Sequence, residues 1–126
     1  SKVISATVEG KYKARISVMG ADSVLAAAYT AKGIALFQNK DYKDALLAFL
    51  HSAVTYRHVG SSDVAEASLK GALCLSNLIS EEGNEEVKKQ MVERARDLCA
   101  QAKRLYSSDT GKIRRVNEIL NNLPKL

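Results

Sequence analysis

The sequence has little that would break a helix or cross-link the chain. Of its 126 residues one is proline, two are cysteine, and tryptophan is absent. Pro124 lies near the end of the sequence, so no proline interrupts a helix before it. Cys74 and Cys99 are too few for a disulfide framework and lack the CxxC spacing of a zinc site, so we expect two buried thiols in a reducing compartment.

Long apolar runs, a signal-peptide pattern and lipidation motifs are also missing. We therefore expect no membrane insertion and a cytoplasmic or nuclear location. The first residue is not methionine, so we expect an excised domain whose targeting signals lie elsewhere. Aromatic residues make up 6% of the chain and hydrophobic residues 46%. This composition favours closely packed helices in a single domain, residues 1–126, over a β-sandwich or barrel.

No pattern in the sequence predicts catalysis or cofactor binding. A phosphate loop, a GxSxG turn and a nucleotide fingerprint are all absent. His51 and His58 are seven residues apart on one predicted helix, which is too far to hold one metal ion without another helix. The Ser-Ser-Asp clusters at 61–63 and 107–109 each precede a helix and are interpreted as caps. We expect a protein that is not an enzyme and has no metal or other cofactor.

The net charge of +5 is concentrated at the two ends of the sequence. Residues 1–20 carry four lysines or arginines against one glutamate, and residues 103–126 carry six against two acidic residues. Lys112, Arg114 and Arg115 are candidates for contacts with a nucleic-acid backbone, although no recognised nucleic-acid module is present. An acidic lipid surface, an acidic partner and plain solvation are the other interpretations of these charges.

The first twenty residues are predicted to form a separate segment. Apolar and polar residues alternate over residues 3–18, which indicates a β-hairpin. An irregular first helix interrupted at Gly10 is the alternative interpretation.

From Gly20 onward the apolar residues recur at helical spacing. The pattern predicts an α-helical bundle with helices at 24–38, 42–58, 64–80 and 85–106, followed by a short final helix before Pro124. Val24, Leu25 and Ala28 are expected on the buried side of the first helix, with Asp22 or Ser23 as its N-cap.

The predicted ends of the other helices rest on four local signals. Residues 39–41 form a polar break before the second helix, and Gly60 is expected to end that helix in the left-handed conformation. Asp63 and Glu66 match a capping box for the third helix. Asn84 is expected to cap the fourth.

One stretch of the sequence resembles a tetratricopeptide repeat, a helical hairpin of about 34 residues. The matching positions are Tyr29, Gly33, Asp41, Tyr42, Ala45 and Phe49. Lys32 and Leu36 depart from the repeat pattern, and the closing proline is missing. The match covers about a quarter of the chain and implies a bundle of packed helical hairpins with a binding groove.

A weaker resemblance is to the microtubule-interacting and trafficking domain, a three-helix bundle. It rests on the Lys-Asp-Tyr break at 40–42, the Ala-Leu-x-x-Phe helix that follows, and the charged helix at 87–105. The predicted helix at 64–80 has no counterpart in that family. Both resemblances imply the same activity, the capture of a peptide or helix in a groove between helices.

We therefore predict a non-enzymatic adaptor or scaffold module. The tetratricopeptide resemblance implies that exposed positions of the first helix face the ligand: Thr30, Ile34, Phe37 and Gln38. Phe37 has the alternative interpretation of a core residue, which we favour. A second candidate is a basic stripe of Lys89, Arg96 and Lys103, which recur every seven residues and so share one helix face on which an acidic peptide would lie.

Two alternative functions remain open from the sequence. The chain would bind a nucleic-acid backbone through its basic ends, or it would form a homodimer. The second alternative requires an uncovered apolar face, for which the final helix within residues 112–126 is the candidate.

Overall fold

The computed structural model describes the backbone of residues 8–126 and the side chains from residue 20 onward. This part of the chain is mainly helical, as predicted. Its elements are α1 (Val8–Gln38), α2 (Tyr42–Leu50), a π turn (His51–Thr55), a 3₁₀ turn (Arg57–Val59), α3 (Ser62–Ile79), α4 (Glu85–Tyr106) and α5 (Thr110–Asn122).

The N-terminal hairpin predicted over residues 3–18 is not confirmed. Residues 8–18 are helical and belong to α1, while residues 3–7 lie outside the described residues. The helix continues through Gly10 and Gly20. Glycine weakens a helix by only about 1 kcal/mol relative to alanine, which neighbouring helix formers can offset where no proline intervenes.

Helix α1 buries a different face from the one predicted. Ala26 is fully buried and Thr30 is 2% exposed, whereas Val24 and Leu25 are 67% and 40% exposed. The buried face is the one that carries Gly33, where the ring of Phe49 from α2 comes close to the α1 backbone. The ring of Phe49 therefore packs on the side of α1 that faces the core.

Several predicted helix ends are confirmed, and one is wrong. Gly60 adopts the left-handed conformation with φ 63° at the end of the 3₁₀ turn. The side chain of Asn84 accepts a hydrogen bond from the backbone N–H of Val87 and caps α4. The predicted capping box at the start of α3 does not form, because Ser61 is the N-cap and Asp63 lies inside the first turn.

The helices pack mainly on their neighbours in the sequence, and α3 contacts each of the other four. Its buried side chains join those of α2, α4 and α5 in one core. Val116, Ile119 and Leu123 of the C-terminal helical segment are buried there. The final helix is therefore not the uncovered face that the homodimer hypothesis requires. Among residues 8–126, none of the helices combines the length and hydropathy needed to cross a bilayer.

Candidate functional site

Helix α2 and the π turn carry apolar side chains on their outer side as well as in the core. Phe49 is fully buried, but Leu47 is 61% exposed and Val54 is 41% exposed. His51 lies between them in sequence and is also exposed. Spacings of four and three residues place these side chains on one side of the helix. We call Leu47, His51 and Val54 the α2 surface.

Two grooves border the α2 surface and share Leu47 and His51. The groove between α1 and α2 has a volume of about 480 Å³ and is lined by Tyr29, Lys32, Leu36, Asp44, Leu47, Ala48 and His51. The groove between α2 and α4 has a volume of about 250 Å³ and is lined by Leu47, Leu50, His51, Val54, Thr55 and Arg94. The α2 surface is thus an apolar ridge with a groove on each side.

Aromatic stacking fixes the side of the ridge that faces α1. The rings of Tyr29 and His51 are stacked, with centroids 4.5 Å apart and planes 17° apart. The Tyr56 ring lies on the same tyrosine with a centroid distance of 6.1 Å. These contacts hold His51 against α1 and limit its rotamers, so the ridge has a defined shape before any partner binds.

The π turn that carries His51 and Val54 is held by Gln101 of α4. In this turn the Tyr56 N–H donates to the His51 carbonyl oxygen, five residues earlier, at 3.2 Å. The buried Gln101 amide donates to the Ala53 carbonyl at 2.7 Å and contacts the Ser68 hydroxyl at 2.9 Å. A π turn interrupts the regular ladder of helical hydrogen bonds, so an outside donor is needed for a buried carbonyl within it.

Thr30, predicted as a ligand contact, is part of the core instead. Its hydroxyl lies 2.8 Å from the Ser52 hydroxyl, 2.9 Å from the Ala26 carbonyl oxygen and 3.0 Å from that of Asp63. Thr30 has a single hydroxyl proton, so its hydroxyl donates to one of these three oxygens at a time. Thr30 thus joins α1 to the π turn and to α3, and it is not available to a partner.

The other predicted contacts of the first helix are divided between core and surface. Ile34 and Phe37 are partly buried against the core, and Phe37 meets Tyr42 edge to face at 5.3 Å. Gln38 is exposed at the last residue of α1. It does not line either groove of the α2 surface.

The predicted basic stripe lies on the other side of α4 from the α2 surface. Lys89 and Arg96 are exposed and Lys103 is partly buried. Arg94, which lines the groove, is two residues from Arg96 and therefore rotated from it by roughly 200° about the helix axis. Binding of an acidic peptide along the stripe stays a prediction.

The basic residues of α5 are not equivalent to one another. Arg114 and Arg115 are exposed, whereas Lys112 lies 3.6 Å from a Glu66 carboxylate oxygen and over the ring of Tyr106. Lys112 therefore joins α5 to α3 and α4. This reduces the set of free cations available to the nucleic-acid hypothesis.

Glu66 is the centre of this polar cluster. Its carboxylate accepts a hydrogen bond from the Tyr106 hydroxyl at 3.0 Å and pairs with Lys70 at 3.3 Å. Burial raises the pKa of Glu66, but the Tyr106 hydroxyl, Lys70 and Lys112 together outweigh burial and lower it below its usual value. The pKa of Tyr106 is raised by burial and by the neighbouring Glu66 charge. The cluster is explained by its structural role between three helices.

Sequence reasoning missed the residues of the α2 surface, although a signal was present. Leu47 and Val54 lie outside the stripe of Ala45, Phe49 and Ala53 that the helix buries, and so they leave apolar side chains on its solvent side. Arg94 had no such signal, because only the packing of α4 shows which of its many charged residues borders a groove.

Among residues whose side chains are described, no group of three or more His, Cys, Asp or Glu side chains is placed to hold a metal ion. In comparisons with known proteins, no family model, no curated protein and no solved structure matches the chain.

Proposed function

We propose that this chain is a non-enzymatic protein-interaction module, an adaptor or scaffold, which binds a helix or peptide of a partner on the α2 surface. The observation that carries the proposal is the 61% exposed Leu47 on a ridge between two grooves. Exposed apolar patches rimmed by polar residues mark interaction sites more often than scattered single side chains do. Helix capture in an apolar groove is a recurring mode of recognition.

The packing of the helices supports a tetratricopeptide-like arrangement as part of this proposal. Consecutive helices contact each other, α1 also contacts α3, and Gly33 meets Phe49 between the first two. In such an arrangement one helical hairpin stacks on the next. Grooves then form between helices that belong to different hairpins.

The experiment is selection from a displayed library of 18-residue peptides. Each peptide has leucines fixed at helical spacing and all other positions randomised. The folded domain is the bait, and the Leu47→Asp variant is the comparison. We expect enrichment of binders on the wild type that lose binding to Leu47→Asp, because the new carboxylate would be buried by the peptide.

A matched control is Leu126→Asp, which changes a leucine that is 53% exposed and lines neither groove. It should keep the binding of the wild type. Circular dichroism melts check that both variants fold. Binders that do not distinguish Leu47→Asp from Leu126→Asp would contradict the proposed surface, and the absence of any enriched binder would contradict the module itself.

The same selection also distinguishes the earlier hypotheses. If binding is lost when the charges of Lys89, Arg96 and Lys103 are reversed together, but is kept in Leu47→Asp, the site lies on the basic stripe. For nucleic acid, we would titrate single- and double-stranded DNA into the wild type at two salt concentrations. The comparison is a variant in which the charges of Arg114 and Arg115 are reversed. Salt-sensitive binding lost in that variant would favour the basic end.

A further inference from the structure

The charges around the α2 surface are arranged unevenly. Arg94 is the charged residue in the lining of the groove between α2 and α4, whose other walls include Leu47, Leu50 and Val54. On the opposite side of the ridge, Lys32 and Asp44 line the second groove. A cation therefore stands on each side of the ridge, with one carboxylate near its start.

We propose that the partner of the α2 surface is an amphipathic helix whose apolar stripe is bordered by carboxylates, one of which pairs with Arg94. This inference rests on the proposed function, because it names the chemistry of the partner for that same surface. It rests on the position of the Arg94 guanidinium at the wall of the groove between α2 and α4, whose lining is otherwise mainly apolar.

The face of α4 that contacts the π turn also carries Arg94. Arg94 lies seven residues before Gln101, so the two residues share one face of α4. Gln101 is anchored to the Ala53 carbonyl at 2.7 Å. The backbone of α4 is therefore fixed against the π turn at Gln101, and Arg94 projects from the same face beside Leu47 and Val54.

The positive charge of Arg94 favours an acidic partner over a neutral or basic one. A peptide that covers the groove removes water from the Arg94 guanidinium, and a buried charge without a partner is costly. A carboxylate can accept two parallel hydrogen bonds from a guanidinium, which both stabilises the complex and fixes its register. A lysine of the partner at the position opposite Arg94 would instead repel the guanidinium.

The geometry favours a helix over an extended peptide. The described part of the chain has no sheet edge to which a strand could add. The exposed side chains of the ridge recur at spacings of four and three residues, which is the spacing that another helix presents. A second copy of this chain is less suited, because its own ridge offers only one carboxylate, Asp44, against the two cations Arg94 and Lys32.

The test is the composition of the selected peptides on two baits, wild type and Arg94→Glu. On the wild type, aspartate and glutamate should be enriched at positions that border the leucines. On Arg94→Glu, lysine and arginine should replace them. From the wild-type pool, one peptide is then synthesised with glutamate, glutamine or lysine at its most enriched acidic position.

We expect the glutamate peptide to bind the wild type about tenfold more tightly than the glutamine peptide, as measured by fluorescence anisotropy. The preference should disappear in Arg94→Gln and persist in Arg96→Gln, a matched control on the other side of α4. Binding should also weaken as salt rises.

The outcomes separate this inference from the proposed function. If Leu47→Asp abolishes binding but the selected peptides show no acidic enrichment, or Arg94→Gln keeps the glutamate preference, the acidic partner is wrong and the binding surface stands. If no peptide depends on Leu47, both are wrong. Light scattering that shows a dimer disrupted by Leu47→Asp would identify a second copy as the occupant and overturn this inference.

Discussion

A Cβ atom added at Gly33 would lie 2.5 Å from the ring of Phe49. The ring is fully buried in the core. Gly33 is therefore required for space, since its φ is not in the left-handed region. This contact fixes the approach of α1 to α2 and, with it, the groove that contains Tyr29 and His51.

Replacement of Gly33 by alanine should destabilise the fold. Overpacking costs about 1–3 kcal/mol, while the better helix propensity of alanine returns about 1 kcal/mol, so we expect a net loss of up to about 2 kcal/mol. The control is Gly20→Ala, where nothing lies within 4 Å, and which should raise stability. Urea denaturation measures both, and equal effects of the two substitutions would contradict the close contact.

Replacement of Gln101 by leucine should remove the donor of the Ala53 carbonyl. An unsatisfied buried acceptor costs about 1–3 kcal/mol, and we expect a loss of unfolding free energy in that range. Gln90→Leu is the matched control, since Gln90 is exposed on the same helix and its change should have little effect. If both leucine variants unfold at the same urea concentration, Gln101 does not support the π turn.

The stability contributed by Glu66 should depend on pH. Because its pKa is lowered in the folded state, the carboxylate stabilises the fold above the usual unfolded pKa of about 4.3, and this contribution is lost as pH falls through the lower folded value. Glu66→Gln should therefore be less stable than the wild type at pH 7, and the difference should narrow in acid.

Urea midpoints from pH 7 to pH 3 measure this difference. The comparison is Glu85→Gln, which removes a 78% exposed partner of Lys88 and should cost little at any pH. A difference for Glu66→Gln that stays constant across this range would show that the charge of Glu66 is not the stabilising feature.

The two cysteines should react slowly while the protein is folded. Burial raises the pKa of Cys74 to about 12 and that of Cys99 to about 11, so few thiolates exist at pH 8. Alkylation by iodoacetamide should follow unfolding in urea. An Ala100→Cys variant adds a thiol at an exposed position beside Cys99 and should react at once. Reaction of the native thiols at that rate would contradict their burial.

Local chemistry made much of the helical framework predictable. The left-handed Gly60, the cap at Asn84 and the polar break before Tyr42 all depend on residues next to one another in sequence. The predicted start of α1 is wrong because it also relied on local residues alone. Asp22 and Ser23 are good N-caps, but no nearby residue forces the chain to leave the helix there.

The buried face of α1 and the π turn depend on distant residues. Thr30 was expected on the surface because the tetratricopeptide resemblance places it in the groove, whereas its contacts with the distant residues Ser52 and Asp63 hold it in the core. The π turn likewise depends on Gln101, 48 residues from Ala53. The position of Arg94 beside Leu47 requires the same long-range packing, so this part of the candidate site could not be predicted.

The central position of α3 has a consequence for how the molecule opens. The principal contacts of α5 are with α3 and α4, so α5 can detach while α1, α2 and α3 remain packed. Separation of α3 would disrupt every other helix at once. Native-state hydrogen exchange should therefore be slowest in α3 and faster in α5. The molecule would then have a cooperative centre at α3 and one end, α5, that opens independently.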